Sequence, residues 1–317
     1  MRRGTIFTMT QKTGLLRREF HFGEFSSYGE MVRRKQVSGA SVSVVIPALN
    51  EEATIGEIVR SIRETLVLGE RFVDELVVID GDSDDATART ARDAGASVFA
   101  LSDIPEPSGG KGKGAALWKA QFVTTGDIVV FIDADIEEFD PRIVTGCAGP
   151  LLFDPEIYLV KAFYRRPLIL DGRRYDDSGG RITELLVKPL LRTLLPGLSR
   201  VHQPLGGEYA FRRDIMEQIP FSAGYGVEIG LLIDLYARFG IDHLAQVDVG
   251  TRVHRNRSIL ELGDEATQIA RVLVKKAEQY GVISVHTMPL LAEQDNAFGS
   301  GDIELAPKCA MPAVSVK

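Results

Sequence analysis

The sequence is poor in cysteine: Cys147 and Cys309 are the only two in 317 residues, and neither sits in a metal-spaced motif. A reducing, cytoplasmic setting is therefore expected. Long apolar runs are also missing. No stretch approaches the ~20 residues of a membrane span, so no membrane association is expected. The basic residues of Met1-Arg2-Arg3 are not followed by an apolar segment, so no signal peptide is expected. Positive charge is in deficit, with a net charge of −7 that argues against general nucleic-acid binding. Arg165-Arg166, Arg173-Arg174 and Arg252 to Arg257 remain as local clusters able to hold phosphates. The G-x-x-x-x-G-K-[ST] spacing is absent, which excludes a P-loop.

What is present is an alternation of strand and helix patterns. Residues 1–40 are polar, show no sustained period and carry Phe20, Phe22 and Phe25, so they read as an arm that packs a few aromatics. Val42 to Ile46 reads as a strand stopped by Pro47, after which Asn50 is expected to cap a helix with Ile55, Ile58, Val59 and Ile62 on one face. Glu75 to Asp80 is a second strand, Asp84 to Ala94 a helix closed by Gly95, and Ser97 to Ala100 a third strand. Short loops between alternating elements predict a parallel, doubly wound α/β sheet with helices on both faces. Asp127 to Asp135 is a continuous apolar run ending in two carboxylates, Asp133 and Asp135. Such a run reads as a strand buried on both faces, with its acids at the carboxyl end, where open α/β sheets put their ligands. The two acids share parity on an extended backbone and can turn toward one hard cation. A bare pair of this spacing is ordinarily a solvated turn; the rest of the chain argues otherwise.

The loop from Ser102 to Gly114 is rich in Pro, Gly and Lys and leads into a helix through Ala115 and Trp118, so Lys111 or Lys113 could neutralise a diphosphate. After a strand at Ile157 to Tyr164, Arg181 begins a helix whose apolar face is read as Leu185, Leu186, Leu190 and Leu194. Gly179, Gly180, Arg181 and Thr183 at its entrance form an anion pocket, because free N–H groups and the helix dipole favour negative charge. Pro204 to Ala210 reads as a tight turn into a short strand, and Gly224 to Glu228 opens a long apolar helix, Ile229 to Phe239, ended by Gly240. Leu244 to Val249 leads to His254-Arg255-Asn256-Arg257, where the position of His254 after a strand makes a metal-ligand role worth proposing. Residues 264–281 form one more amphipathic helix, and 286–317 an irregular tail that could wrap a partner subunit. The chain thus divides into an arm (1–40), a first half (41–140), a second half (141–285) and a tail (286–317).

Pro47-Ala48-Leu49-Asn50-Glu51-Glu52, the strand ending in Asp80 and the Asp133-Ala134-Asp135 strand together resemble a nucleotide-sugar glycosyltransferase of the GT-A fold. More narrowly, Gly112-Lys113-Gly114, Gly179-Gly180-Arg181-Ile182-Thr183, Gly224-Tyr225-Gly226-Val227-Glu228 and His254-Arg255-Asn256-Arg257 are similar to the actinobacterial glucosyl- and mannosyl-3-phosphoglycerate synthases. The resemblance implies that Pro47, Ala48, Leu49 and Glu51 line the nucleotide pocket, with Asp80 near the base and Lys113 and Ala134 near the donor. It places Asp133 and Asp135 beside the diphosphate and makes Asp135 and His254 ligands of a divalent metal, Mg2+ with Mn2+ or Co2+ as alternatives. Gly180, Arg181, Thr183 and Asn256 bind the phosphate or carboxylate of 3-phosphoglycerate, Glu228 holds sugar hydroxyls, and Tyr225 and Arg257 close the pocket. Asp135, Glu228 and Arg257 are the implied catalytic residues, and the anomeric configuration is retained. A homodimer is expected as well.

Two departures stand out. The glucosyl members carry Ser-Gly after the strand-end aspartate, whereas Gly81 and Asp82 stand here. A second carboxylate suits the adjacent N–H donors of guanine, which leans the donor toward GDP-mannose. Gly also stands where a Ser is familiar in Leu205-Gly206-Gly207. The alternatives are a polyprenyl-phosphate acceptor, which would bring membrane-anchoring helices, and a nucleotidyltransferase, which would carry a Gly-rich basic loop where Pro47 to Glu52 is acidic.

Overall fold

The computed structural model describes residues 16, 18–105, 112–166, 168–170, 173–175, 180–252, 259–284, 304, 305 and 307. Its strands are β1 Glu19–His21, β2 Val42–Ala48, β3 Glu75–Asp80, β4 Ser97–Ala100, β5 Ile128–Phe131, β6 Leu159–Arg165, β7 Leu168–Leu170, β8 Arg173–Tyr175, β9 Tyr209–Arg212, β10 Phe221–Ser222, β11 Leu244–Thr251 and β12 Glu304–Leu305. The helices are α1 Tyr28–Ser38, α2 Ile55–Ile62, α3 Thr87–Ala94, α4 Gly112–Val123, α5 Arg142–Phe153, α6 Lys188–Leu194, α7 Arg213–Met216, α8 Val227–Phe239 and α9 Ile259–Gln279.

Eight strands form one sheet in the order β1-β11-β6-β9-β5-β2-β3-β4. The expected mostly parallel α/β sheet is present, with one difference: β9 runs antiparallel to both β5 and β6. The chain steps outward from β2 through β3 to β4 and then returns to β5 on the other side of β2. That reversal opens a crevice at the carboxyl ends of β2 and β5, the place where such sheets receive ligands. Alternate strand residues face two cores. Val45, Val129, Phe131 and Tyr209 pack toward α4 and α8, while Val44, Ile46, Val130 and Ala210 pack toward α2, α3 and α5.

Ile55, Ile58, Val59 and Ile62 are all fully buried on α2, as their spacing predicts. The cap differs. α2 starts at Ile55 after Thr54, and Asn50 lies upstream with φ 57°, its side-chain oxygen accepting the Asp84 N–H at 3.0 Å. Asn50 therefore ties two loops together and does not start the helix, because asparagine both tolerates the left-handed region and closes turns with its own amide. The helix after Arg181 also turns a different face inward. Thr183, Val187 and Leu191 are buried, with Leu190 and Leu194 of the expected face partly buried against the same core, while Leu185 is 79% exposed. A π-helical turn over Thr183–Val187 shifts the register that an ideal helix would give to Leu185, Leu186, Leu190 and Leu194. The first forty residues pack Phe20, Phe22 and Phe25 on the domain as expected, and they also form β1 and α1. β1 joins the sheet edge in parallel with β11. A short strand at the sheet edge carries too few residues for a period to be read. Within the tail, β12 pairs antiparallel with β10 of the same chain.

Two polar ties hold the frame. Between α8 and α9, buried Asp234 accepts from Lys276 at 2.7 Å and from the Tyr280 hydroxyl at 2.6 Å. Asp234→Ala leaves the Lys276 charge buried without this partner, so the unfolding free energy should fall by about 3–5 kcal/mol, seen as a lower urea midpoint at unchanged slope. A midpoint equal to the parent's would show that the pair does not join the helices. At the opposite end of the sheet, Glu75 accepts from Ser43, Thr125 and Gly126. Burial pushes the Glu75 carboxyl up, but these hydrogen bonds outweigh it and leave it below its ordinary value. A depressed folded-state pKa stabilises above the unfolded-state value, and the gain is lost as pH falls through the lowered one. Glu75→Gln should accordingly be less stable than the parent near neutral pH, with the gap closing as pH falls through the lowered Glu75 pKa in parallel urea titrations.

Candidate active site

The crevice is built from strand ends. In the register of β2 with β3, Pro47 lies beside Ile79 and Ala48 beside Asp80. Leu49 follows, exposed, and Gly81 donates its N–H to the Ala48 carbonyl at 2.7 Å. Asp80 is buried and accepts from the Ser83 N–H at 3.2 Å and the Ser83 hydroxyl at 2.6 Å, which fixes its carboxylate at the end of β3. Glu51 is placed by its N–H, which donates to the Thr87 hydroxyl at 2.8 Å. The Thr54 hydroxyl then donates to the Ala134 carbonyl at 2.6 Å and joins the β2 loop to the Asp133-Ala134-Asp135 segment.

Asp133 shares parity with Phe131 and so faces α4 and α8. Lys113, in the first turn of α4, lies 2.7 Å from Asp133 Oδ1 and 2.7 Å from Glu228 Oε1 in the first turn of α8. Burial alone would lower the Lys113 ammonium, but Asp133 and Glu228 hold it well above the ordinary lysine value. Close helix packing allows this. A Cβ on Gly114 would lie 2.0 Å from the Ser222 carbonyl oxygen, so only glycine lets α4 approach β10 and bring Lys113 to α8. Glu228 is 4% exposed and sits where the helix dipole favours an acid. Tyr225, ahead of α8, is partly exposed and donates its N–H to Gln268 on α9 at 3.3 Å.

Because β9 runs against its neighbours, its first residue and the turn before it lie at the same end as Asp133. A Cβ on Gly207 would fall 2.1–2.2 Å from the Asp133 carboxylate. Next to it, Glu208 is fully buried and paired with Arg252 at 2.5 Å. Burial pushes the Glu208 carboxyl up, Arg252 pulls it down, Asp133 and Asp135 push it up again, and the net is upward. Lys161 of β6 lies buried behind the same turn. These three residues are not among the sequence-predicted ones. The available signals were a lysine inside an apolar strand, an acid after a glycine pair, and Arg252 at the head of a cluster able to hold phosphates; here Arg252 holds a carboxylate.

Asp133, Asp135, Glu208 and Glu228 face Lys113, Lys161 and Arg252 in one electrostatically connected group. Among the described residues carboxylates outnumber cations in this group, and Asp135 has a buried Oδ1 at the strand end. A strand-end carboxylate oxygen of this kind suits a hard divalent cation, and among the described residues no three His, Cys, Asp or Glu side chains converge as a metal site by themselves. His254, the second implied ligand, lies outside the described residues, as do Lys111, Gly179, Arg255, Asn256 and Arg257. Gly180 has φ 71° and accepts the Glu184 N–H at 3.0 Å; Arg181 is partly exposed, and Thr183 is buried at the start of a helix that joins the α4–α8 core. The Gly180-Arg181-Thr183 segment thus stands on the same side of the sheet as Lys113. Asp82 behaves differently from its expected role near a base. It has φ 64°, and its carboxylate accepts from the Ser102 N–H at 3.2 Å and hydroxyl at 2.8 Å.

The model of glycosyl transferase family 2 matches residues 43–216. The chain belongs to glycosyl transferase family 2. It is 43% identical over 277 residues to the glucosyl-3-phosphoglycerate synthase of Petrotoga mobilis, covering 87% of this chain and 85% of that one. With the Mycolicibacterium smegmatis enzyme of the same name it shares 48% identity over 240 residues, 75% of this chain and 78% of that one. Among solved structures, the glucosyl-3-phosphoglycerate synthase of Mycobacterium tuberculosis with phosphoglyceric acid superposes with a TM-score of 0.79 at 39% identity, covering 94% of this chain and 100% of that one. The same protein with Mn2+, uridine-diphosphate-glucose and phosphoglyceric acid gives 0.76 at 40% identity, covering 90% and 95%. The GT-A architecture expected from the strand-end motifs is therefore present.

In this family 2 site, Gly207→Ala should displace Asp133 and cost on the order of 10²-fold in glycosyl transfer while the urea midpoint stays close to the parent's. Parental turnover would show that the turn can yield without moving Asp133.

Proposed function

We propose that the chain is a retaining glucosyltransferase that moves glucose from UDP-glucose to 3-phosphoglycerate with a divalent cation. What supports the substrates is the 43–48% identity to enzymes so named, together with a crevice in which Lys113 bridges Asp133 and Glu228. The lean toward GDP-mannose rested on Asp82 as a second carboxylate for guanine. That carboxylate is engaged by Ser102, and the relatives are named for glucosyl transfer, so uracil and glucose are the better reading.

In this reading Ala48, Leu49, Glu51 and Asp80 border the base and ribose, and Lys113 stands beside the donor diphosphate. Glu228, already paired with Lys113, accepts hydrogen bonds from sugar hydroxyls. Gly180, Arg181 and Thr183 receive the acceptor's anionic groups at a helix start, where N–H donors and the dipole favour negative charge. Asp135 and His254 hold the divalent cation, which when bound offsets the negative charge that develops on the departing diphosphate. On the same face of the sugar, the C1–O bond to the diphosphate breaks and the bond to the acceptor oxygen forms. The acceptor's hydroxyl proton passes to a phosphate oxygen of the leaving group.

Incubation with 3-phosphoglycerate and Mg2+ or Mn2+, comparing UDP-glucose, GDP-glucose and GDP-mannose, should give a phosphorylated α-glucoside fastest from UDP-glucose. Faster transfer from GDP-mannose would restore the mannosyl reading. No product from any donor that binds would remove 3-phosphoglycerate as the acceptor. Asp135→Asn should lower metal-dependent turnover by about 10²–10³-fold with unchanged thermal stability; full turnover in that variant would remove Asp135 from the metal site.

A further inference from the structure

Lys161 is a charged residue in the middle of a strand whose neighbours Leu159, Val160 and Ala162 are all buried. It is 2% exposed and lies directly across from Tyr209 in the β6–β9 ladder. Its ammonium donates to the Gly206 carbonyl and stands 4.6 Å from the centre of the Tyr209 ring. Burying an ammonium against a carbonyl and a ring face, with no carboxylate partner in the described ion pairs, costs several kcal/mol in principle. A methionine would fill the same space without that cost. Burial pulls the Lys161 pKa down to about 8, with Glu228 raising it, Lys113 lowering it, and Glu208 and Asp133 raising it.

What this position controls is the turn. Gly206 carries the carbonyl that Lys161 holds, and the next residue, Gly207, lies so close beneath Asp133 that a single methyl group would overlap its carboxylate. Asp133 in turn pairs with Lys113. A Cβ on Gly206 would meet the Ala162 and Gln203 carbonyl oxygens at 3.3 and 3.4 Å, so the turn is confined on its other side as well. We propose that Lys161 is a positioning residue of the donor site: by holding the Gly206 carbonyl it keeps Gly207 pressed beneath Asp133, and Asp133 against Lys113. It touches neither substrate. The proposal rests on the UDP-glucose reading for its choice of ligand.

The test compares Lys161→Met, Lys161→Arg and, as a control that loosens the same strand on its other face, Val160→Ala. UDP affinity in the presence of Mn2+ is read by calorimetry, alongside melting temperature and separate KM values for UDP-glucose and 3-phosphoglycerate. Lys161→Met should fold, bind UDP about tenfold more weakly and lose on the order of 10²-fold in kcat/KM for the donor, with the acceptor KM unmoved. Lys161→Arg should recover part of the loss, and Val160→Ala should lower the melting temperature without weakening UDP binding. Parental UDP affinity in Lys161→Met overturns the proposal. So does an equal weakening in Val160→Ala at the same loss of melting temperature. Should Lys161→Met not fold, Lys161→Gln carries the same readings. A parent that binds UDP yet makes no product would sink the acceptor assignment while leaving the binding arm decisive.

Discussion

The Lys113 ammonium, held between Asp133 and Glu228, is the interaction on which the rest of the site depends. It joins the end of β5 to the first turns of α4 and α8, three elements that local sequence does not bring together. A cation so enclosed is stabilised by two carboxylates at once, and it leaves each of them partly neutralised and directed. The glycines around it serve that contact: Gly114 lets α4 approach β10, and Gly207 leaves room for the Asp133 carboxylate.

Around this junction, charges are layered through the sheet. On the α4–α8 side stand Lys113, Asp133, Glu228 and Lys161, and on the other side Glu208 pairs with Arg252 among residues packed on α5. Burial on this scale is costly unless charges are matched, and among the described residues each buried acid named here has a cation beside it. The frame beneath keeps these distances: the Asp234–Lys276–Tyr280 tie fixes α8 against α9, and Gln268 of α9 holds the Tyr225 backbone at the entrance.

Much of this was legible in the sequence, for physical reasons. Parallel strands buried on both faces read as continuous apolar runs, so β2, β3 and β5 and the acids at their ends could be placed from residues alone. The direction of β9 could not, because a four-residue strand carries the same alternation whichever way it runs. Asn50 was misplaced because the residue types that cap helices also close turns. The face through Leu185 was misread because one π turn shifts a helical wheel. Lys161 and Glu208 were missed, and Arg252 was given to phosphates when it pairs with Glu208, because nothing in a linear chain announces that two strands and a turn will enclose them together. Asp82 shows the opposite error, a carboxylate assigned to a ligand when a neighbouring serine already held it.

The reversed strand has one more consequence. β5 finds one neighbour in β2, nearly ninety residues behind it in synthesis, and its other in β9, which lies beyond β6 and α6. A nascent chain that has released only β2 to β5 therefore exposes an apolar sheet edge at Ile128–Phe131, the kind of edge that invites pairing with another chain. Only the emergence of Tyr209–Arg212 seals it. The sheet cannot be finished within residues 41–140, because the second neighbour of β5 is delivered by β9.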